Sequence, residues 1–133
     1  MPLMILVATL ALIQFIYFGI NVGRARGQFA IEAPQMTGHP VFERHVRVQM
    51  NTLEQLVVFL PALFMFSWAA ESRGWHGYNI AAALGVVWLV GRTLYARSYV
   101  KDPKSRGPGF GLTVFPTIFM LVGSLIAVFM SFL

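Results

Sequence analysis

The segment FERHVRVQMNTLEQLVVFLPALFMFSWAA, running from Phe42 to Ala70, decides the fold. Its first half is charged, and its second half, Leu56 to Ala70, is cleanly apolar. In the charged half Arg44, Arg47, Asn51, Glu54 and Gln55 recur at spacings of three and four, which a helix gathers onto one face. A helix from Val41 to Ala70 is ~45 Å long, yet its apolar part covers only ~22 Å. Crossing ~30 Å of hydrocarbon therefore draws the buried portion back to about Asn51. Asn51 and Glu54 then lie just inside the hydrocarbon zone, with Arg47 near its edge. An acidic side chain at a span centre costs roughly 2.5–3.5 kcal/mol, less near the interface, so it faces a protein interior or a watery cavity and takes a partner. Two readings follow. Glu54 forms a polar clamp with an arginine of a neighbouring helix, or this face receives a small zwitterionic ligand.

The rest of the chain has the same character. Of its 133 residues 57% are hydrophobic and 11% charged, against about 25% charged in an ordinary soluble domain. So much apolar surface cannot be hidden in a single small domain, and the expected solvent is lipid. Three further apolar runs make four spans, at about residues 3–22, 51–70, 78–95 and 111–133. The first lacks a positive leading region and is followed by three more, so it reads as a membrane helix rather than a cleaved signal. The expected fold is an all-α membrane protein, a bundle of four transmembrane helices forming one domain. Pro34, Gly38 and Pro40 mark the first connection, and Pro103, Gly107, Pro108 and Gly109 the third, as places where helix does not easily continue. Pro61 and Pro116 fall inside spans, where membrane helices tolerate them, often with a kink.

Charge placement sets orientation and excludes whole function classes. Nine of the ten basic residues lie in or beside the first and third connections; Arg73 alone lies in the second. Those two loops are expected in the cytoplasm and both termini on the opposite side. A nucleic-acid binder would instead show a basic stripe in polar surroundings, so the net charge of +5 is read as membrane topology, with membrane lipid as the partner and no nucleic acid. Cysteine is absent, so any thiol chemistry must use a thiol brought by a substrate. His39, His45 and His76 are scattered across both sides, and no metal site is expected.

A second polar face lies at the end of the third span. Arg92, Tyr95 and Tyr99 are spaced by three and four and line one side, while Arg97 falls off it and snorkels. Taken singly, each tyrosine is an ordinary membrane-interface residue and Arg106 an ordinary loop charge. Together, on the same membrane side as the Arg47 face, they read as the wall of a pocket.

These motifs resemble the family of membrane-associated proteins in eicosanoid and glutathione metabolism, over nearly the whole chain. The strongest is Glu43-Arg-x-x-Arg47-x-Gln49-x-Asn51-x-x-Glu54; Arg92-x-x-Tyr95-x-x-x-Tyr99 followed by Lys104-Ser-Arg106-Gly-Pro-Gly is similar to its prokaryotic branch. The resemblance implies a homotrimer in a bacterial inner membrane, with glutathione bound as cosubstrate at subunit interfaces near the cytoplasm. It implies glutathione contacts at Arg47, Gln49, Asn51, Glu54, Tyr95, Tyr99 and Arg106, with Arg106 also activating the thiol and Arg26 as a second catalytic candidate. Two positions depart from the leukotriene-forming members. Gln55 replaces a tyrosine, and Gly27 an arginine near the reacting centre, leaving Arg26 or Arg24 as substitutes.

The ligand chemistry agrees. Glutathione carries two carboxylates and one ammonium, so its site needs several cations and one anion. Guanidinium groups suit the carboxylates, Glu54 the ammonium, and Asn51 and the tyrosines neutral hydrogen bonds. A thiol of pKa about 8.5 is only roughly 3% ionised at pH 7. An arginine contributing about 2 kcal/mol to the anion brings about half of it to thiolate. The expected activity is that of a glutathione-dependent transferase or peroxidase acting on an apolar electrophile or lipid hydroperoxide from the bilayer. The alternative is a non-catalytic lipid-binding or scaffold member of the same fold. A small multidrug transporter is disfavoured because the first span carries no acidic residue.

Overall fold

The computed structural model describes residues 1–133. Four long helices follow one another: α1 (Pro2–Gln28), α2 (Pro40–Glu71), α3 (Gly77–Lys101) and α4 (Gly107–Phe129), with a 3₁₀ turn at Pro103–Arg106 before the last. All four are long and apolar enough to cross a membrane. α2 and α3 form a central pair, with α1 packed against both and α4 also packed against both. Large apolar side chains face outward along the bundle, among them Ile13 and Ile16 on α1, Phe64 and Trp68 on α2, and Ile118 and Leu125 on α4. Lipid is the solvent that leaves such a surface without penalty.

Inside, the bundle is held by close packing rather than by escape from water. Val7 and Ala11 of α1, Phe59 and Leu63 of α2, Trp88 of α3 and Met120 of α4 meet in the largest core cluster. The Trp88 indole stacks on Phe59 with ring centroids 4.2 Å apart. Glycines set the spacing between α3 and α4. A Cβ on Gly91 would come within 2.8 Å of Leu112, and one on Gly109 within 2.7 Å of the Tyr95 Cα. Only a bare backbone permits that approach, in the manner of small-residue crossings between membrane helices.

The helices overrun the apolar runs, and the third connection needs correcting. Gly107, Pro108 and Gly109 were expected to hold the chain out of helix, but they form the first turn of α4. Proline in a first helical turn gives up no hydrogen bond that the helix would have made. Gly109 is there because Tyr95 touches it. α2 and α4 continue as helix past Pro61 and Pro116.

The connections are fastened by side chains. His39 caps α2 by accepting from the Val41 amide at 3.2 Å, and its ring stacks on Phe29 at 3.6 Å. Glu43 reaches back to accept from the Gly38 amide. Arg44 was expected on the Arg47 face; it instead donates to the Val100 and Lys101 carbonyls, both at 3.0 Å, closing the C-terminus of α3. Those carbonyls have no acceptor role within their own helix, so a neighbouring cation satisfies them well.

Candidate functional site

His39, Pro40 and Glu43 fix where α2 begins, and so which way each later residue points. Arg47 and Glu54, two turns apart, come out side by side. The guanidinium of Arg47 donates to the two Glu54 carboxylate oxygens at 3.1 and 3.4 Å. Both side chains remain about half exposed, at 47% and 51%. Asn51 lies between them and links them to α3. Its amide nitrogen donates to Glu54 at 3.2 Å, and its carbonyl accepts from Arg92 Nη1 at 3.0 Å.

Arg92 is completely buried. Besides Asn51 it donates to the Thr52 hydroxyl at 2.7 Å, and that hydroxyl donates to the Val48 carbonyl. Its guanidinium lies over the Tyr95 ring, 4.3 Å from the centroid, and Tyr95 stacks in turn on Tyr99 at 5.4 Å. A chain of contacts therefore runs from Arg47 through Glu54 and Asn51 to Arg92 and the two tyrosines. Arg92→Met should leave the Asn51 carbonyl buried without a donor, costing about 1–3 kcal/mol. Arg92→Lys should recover only part of this, because an ammonium cannot reach Asn51 and Thr52 as one planar fork. Thermal unfolding in detergent measures both; an unchanged midpoint in Arg92→Met would remove Arg92 from this supporting role.

The third connection brings up the other cation. Asp102 accepts from the Lys104 amide at 3.0 Å, and Ser105 donates to the Ser98 and Asp102 carbonyls. The resulting 3₁₀ turn delivers Arg106 to the start of α4. Arg106 there borders a cavity of about 290 Å³ shared with Arg47, Asn51, Tyr95, Gly107 and Phe110. Glu54 stands beside it, hydrogen-bonded to two of the lining residues.

Of the residues expected in a site, Arg47, Asn51, Tyr95 and Arg106 meet in this cavity, with Glu54 alongside and Tyr99 stacked behind Tyr95. Gln49 and Arg26 lie elsewhere in the chain. Gln49 packs against Gly19 of α1. Arg26 donates to the Gln35 carbonyl at 2.7 Å and sits 4.9 Å from the centre of the Phe42 ring. Sequence reasoning placed Arg92 on the polar face of α3 but not among the binding residues, and it missed Thr52 and Phe110. For Arg92 the signal was present, since it lies one turn before Tyr95.

Comparison with known proteins assigns the chain to a family. The family model described as MAPEG family matches residues 4–126. The uncharacterized protein sll1147 of Synechocystis sp. is 42% identical over 123 residues, covering 92% of this chain and 85% of its own. Microsomal glutathione S-transferase 2 of Homo sapiens is 35% identical over 108 residues, 81% of this chain and 69% of its own. Leukotriene C4 synthase of Bos taurus is 37% identical over 91 residues, 68% of this chain and 56% of its own. With four membrane-crossing helices and a family match over nearly its whole length, the chain is an integral membrane protein that belongs to the MAPEG family.

Proposed function

We propose that the protein binds glutathione in the cavity between Arg47 and Arg106 and turns its thiolate on apolar electrophiles or lipid hydroperoxides. The observation that carries this reading is the joining of Arg47, Asn51, Tyr95 and Arg106 around one opening, with Glu54 beside it. Arg47 takes a carboxylate of the peptide, Glu54 its ammonium, and Asn51 and Tyr95 neutral hydrogen bonds. Arg106 faces the thiol and favours the anion. In conjugation the sulfur bonds to the electrophilic carbon, the leaving group departs with its electron pair, and the thiol proton goes to water. With a hydroperoxide, two glutathione thiols are oxidised to the disulfide while the peroxide becomes alcohol and water.

A homotrimer with the site at its interfaces accounts for the residues left outside the cavity. At 290 Å³ the opening falls just below the about 300–1,000 Å³ usual for small-molecule sites. Gln49 and Arg26 lie on the α1 side of the protomer, so a neighbouring copy is the means of bringing them to it. Arg47 and Glu54 also share an outward α2 stripe with Met50, Val57, Phe64 and Trp68. Lipid suits the apolar members of that stripe, whereas the charged pair calls for protein or peptide over it. The basic loops support a cavity on the cytoplasmic side, and the pattern of the third connection supports a bacterial inner membrane.

A non-catalytic lipid-binding or scaffold member of the same fold is the second reading. The Arg47–Glu54 bonds already made and Gly27 in place of a second basic group favour it. Calorimetry with glutathione in detergent, followed by conjugation of chlorodinitrobenzene, decides between the two. Binding with turnover is the expected result. Binding alone selects the second reading, and no binding removes the first.

A further inference from the structure

A second opening lies on the other side of the α2–α3 pair. It occupies about 330 Å³ between α1 and α3 and is backed by α2. His45 and Val48 line it from α2, in place of the Arg47 and Asn51 that line the first cavity; Ala96 and Arg97 line it from α3, in place of Tyr95. The Gln14 amide closes its deep end, donating to the Leu89 carbonyl at 3.1 Å and the Thr93 hydroxyl at 2.8 Å. From Gln14 to Asn21 the groove rises about 10 Å along α1, toward the end of the bundle where the basic loops lie.

Its chemistry is cationic at the mouth and apolar on the walls. Arg97 and His45 both line it, and neither makes an ion pair. No carboxylate lines it. Glu54, Glu43, Glu71 and Asp102 accept hydrogen bonds elsewhere, and Glu32 is exposed in the first loop. The chain thus supplies no anion to this guanidinium, while Phe18, Val48 and Ala96 offer the same opening an apolar wall. Water's share of liquid volume is about 30 Å³, so the space holds a headgroup and its nearest methylenes rather than a whole lipid.

We propose that this groove seats the anionic headgroup of a membrane amphiphile, a phosphate or carboxylate held by Arg97 and His45. Its acyl chain passes down the outside of α1 along exposed Tyr17 and Ile13. A guanidinium matches either oxyanion with paired hydrogen bonds, whereas a choline-bearing headgroup adds a cation to a mouth that already holds one.

Native mass spectrometry of the detergent-purified protein tests this by titration with dioleoyl phosphatidylglycerol, dioleoyl phosphatidylcholine and oleate. Phosphatidylglycerol should bind at least about tenfold more tightly than phosphatidylcholine, and Arg97→Gln should erase that margin. His45→Gln should lose a smaller part. Lys104→Gln, an exposed charge away from the groove, should keep the margin. Binding of oleate as strong as that of phosphatidylglycerol identifies a fatty acid carboxylate as the occupant; weaker binding identifies a phospholipid. Equal binding of the two phospholipids overturns the proposal, as does a loss in Lys104→Gln equal to that in Arg97→Gln. Arg97 makes no ion pair within the protein, so its replacement tests the groove and not the fold.

Discussion

Glu54→Ala and Arg47→Ala should each weaken glutathione binding by at least about tenfold while leaving the state of assembly unchanged. Each is proposed to hold one charged end of the peptide, and a hydrogen bond to a charged group contributes about 1.5–3 kcal/mol. Glu54→Ala also strips Asn51 of one of its two partners. The two side chains are half exposed, so the core of Phe59, Leu63 and Trp88 does not depend on them. Calorimetry and size-exclusion chromatography in detergent separate binding from assembly. If both variants bind glutathione as the parent does, the ligand does not sit at this pair, and the Arg47–Glu54 bridge is structural only.

The second large effect concerns rate. Arg106→Ala should lower kcat at pH 7 by about tenfold and move the alkaline rise of the rate upward by about 1.5 pH units. The sign follows from the anion. A cation beside the thiol holds its pKa below the free value, so the thiolate is present at lower pH; without the cation the same ionisation waits for more alkaline solution. The parent should therefore gain rate as pH climbs through about 7, and the variant only near the ordinary thiol value of about 8.5. At high pH the two rates should converge. A variant that is slower at every pH by one constant factor would show Arg106 to orient substrate rather than to ionise the thiol.

The bundle was legible in the sequence because lipid imposes a simple rule: charges confined to the connections, apolar residues on every outward face. The Arg47, Asn51 and Glu54 row was legible because helical period alone brings residues three, four and seven apart together. What was not legible depends on the fit between helices. Arg92 finds Asn51 and Thr52 only once α2 and α3 are set side by side, and nothing in the local pattern of α3 names those partners. Arg44 looked like one more member of a polar row until the end of α3 arrived beside it. Gly107 to Gly109 read as helix breakers, since a glycine required by a close crossing looks the same in sequence as one required by a turn. Gln49 lies two residues from Arg47, roughly 200° around the helix, so one copy of the chain does not turn both toward one opening.

Gly109 has a consequence for how a guest is received. Its backbone rests on that of Tyr95, and Arg106 stands only three residues upstream, with its turn pinned by Asp102 and Ser105. Arg106 is therefore mounted on a rigid corner rather than on a swinging flap, and little ordering entropy is set against the affinity of a guest that binds there.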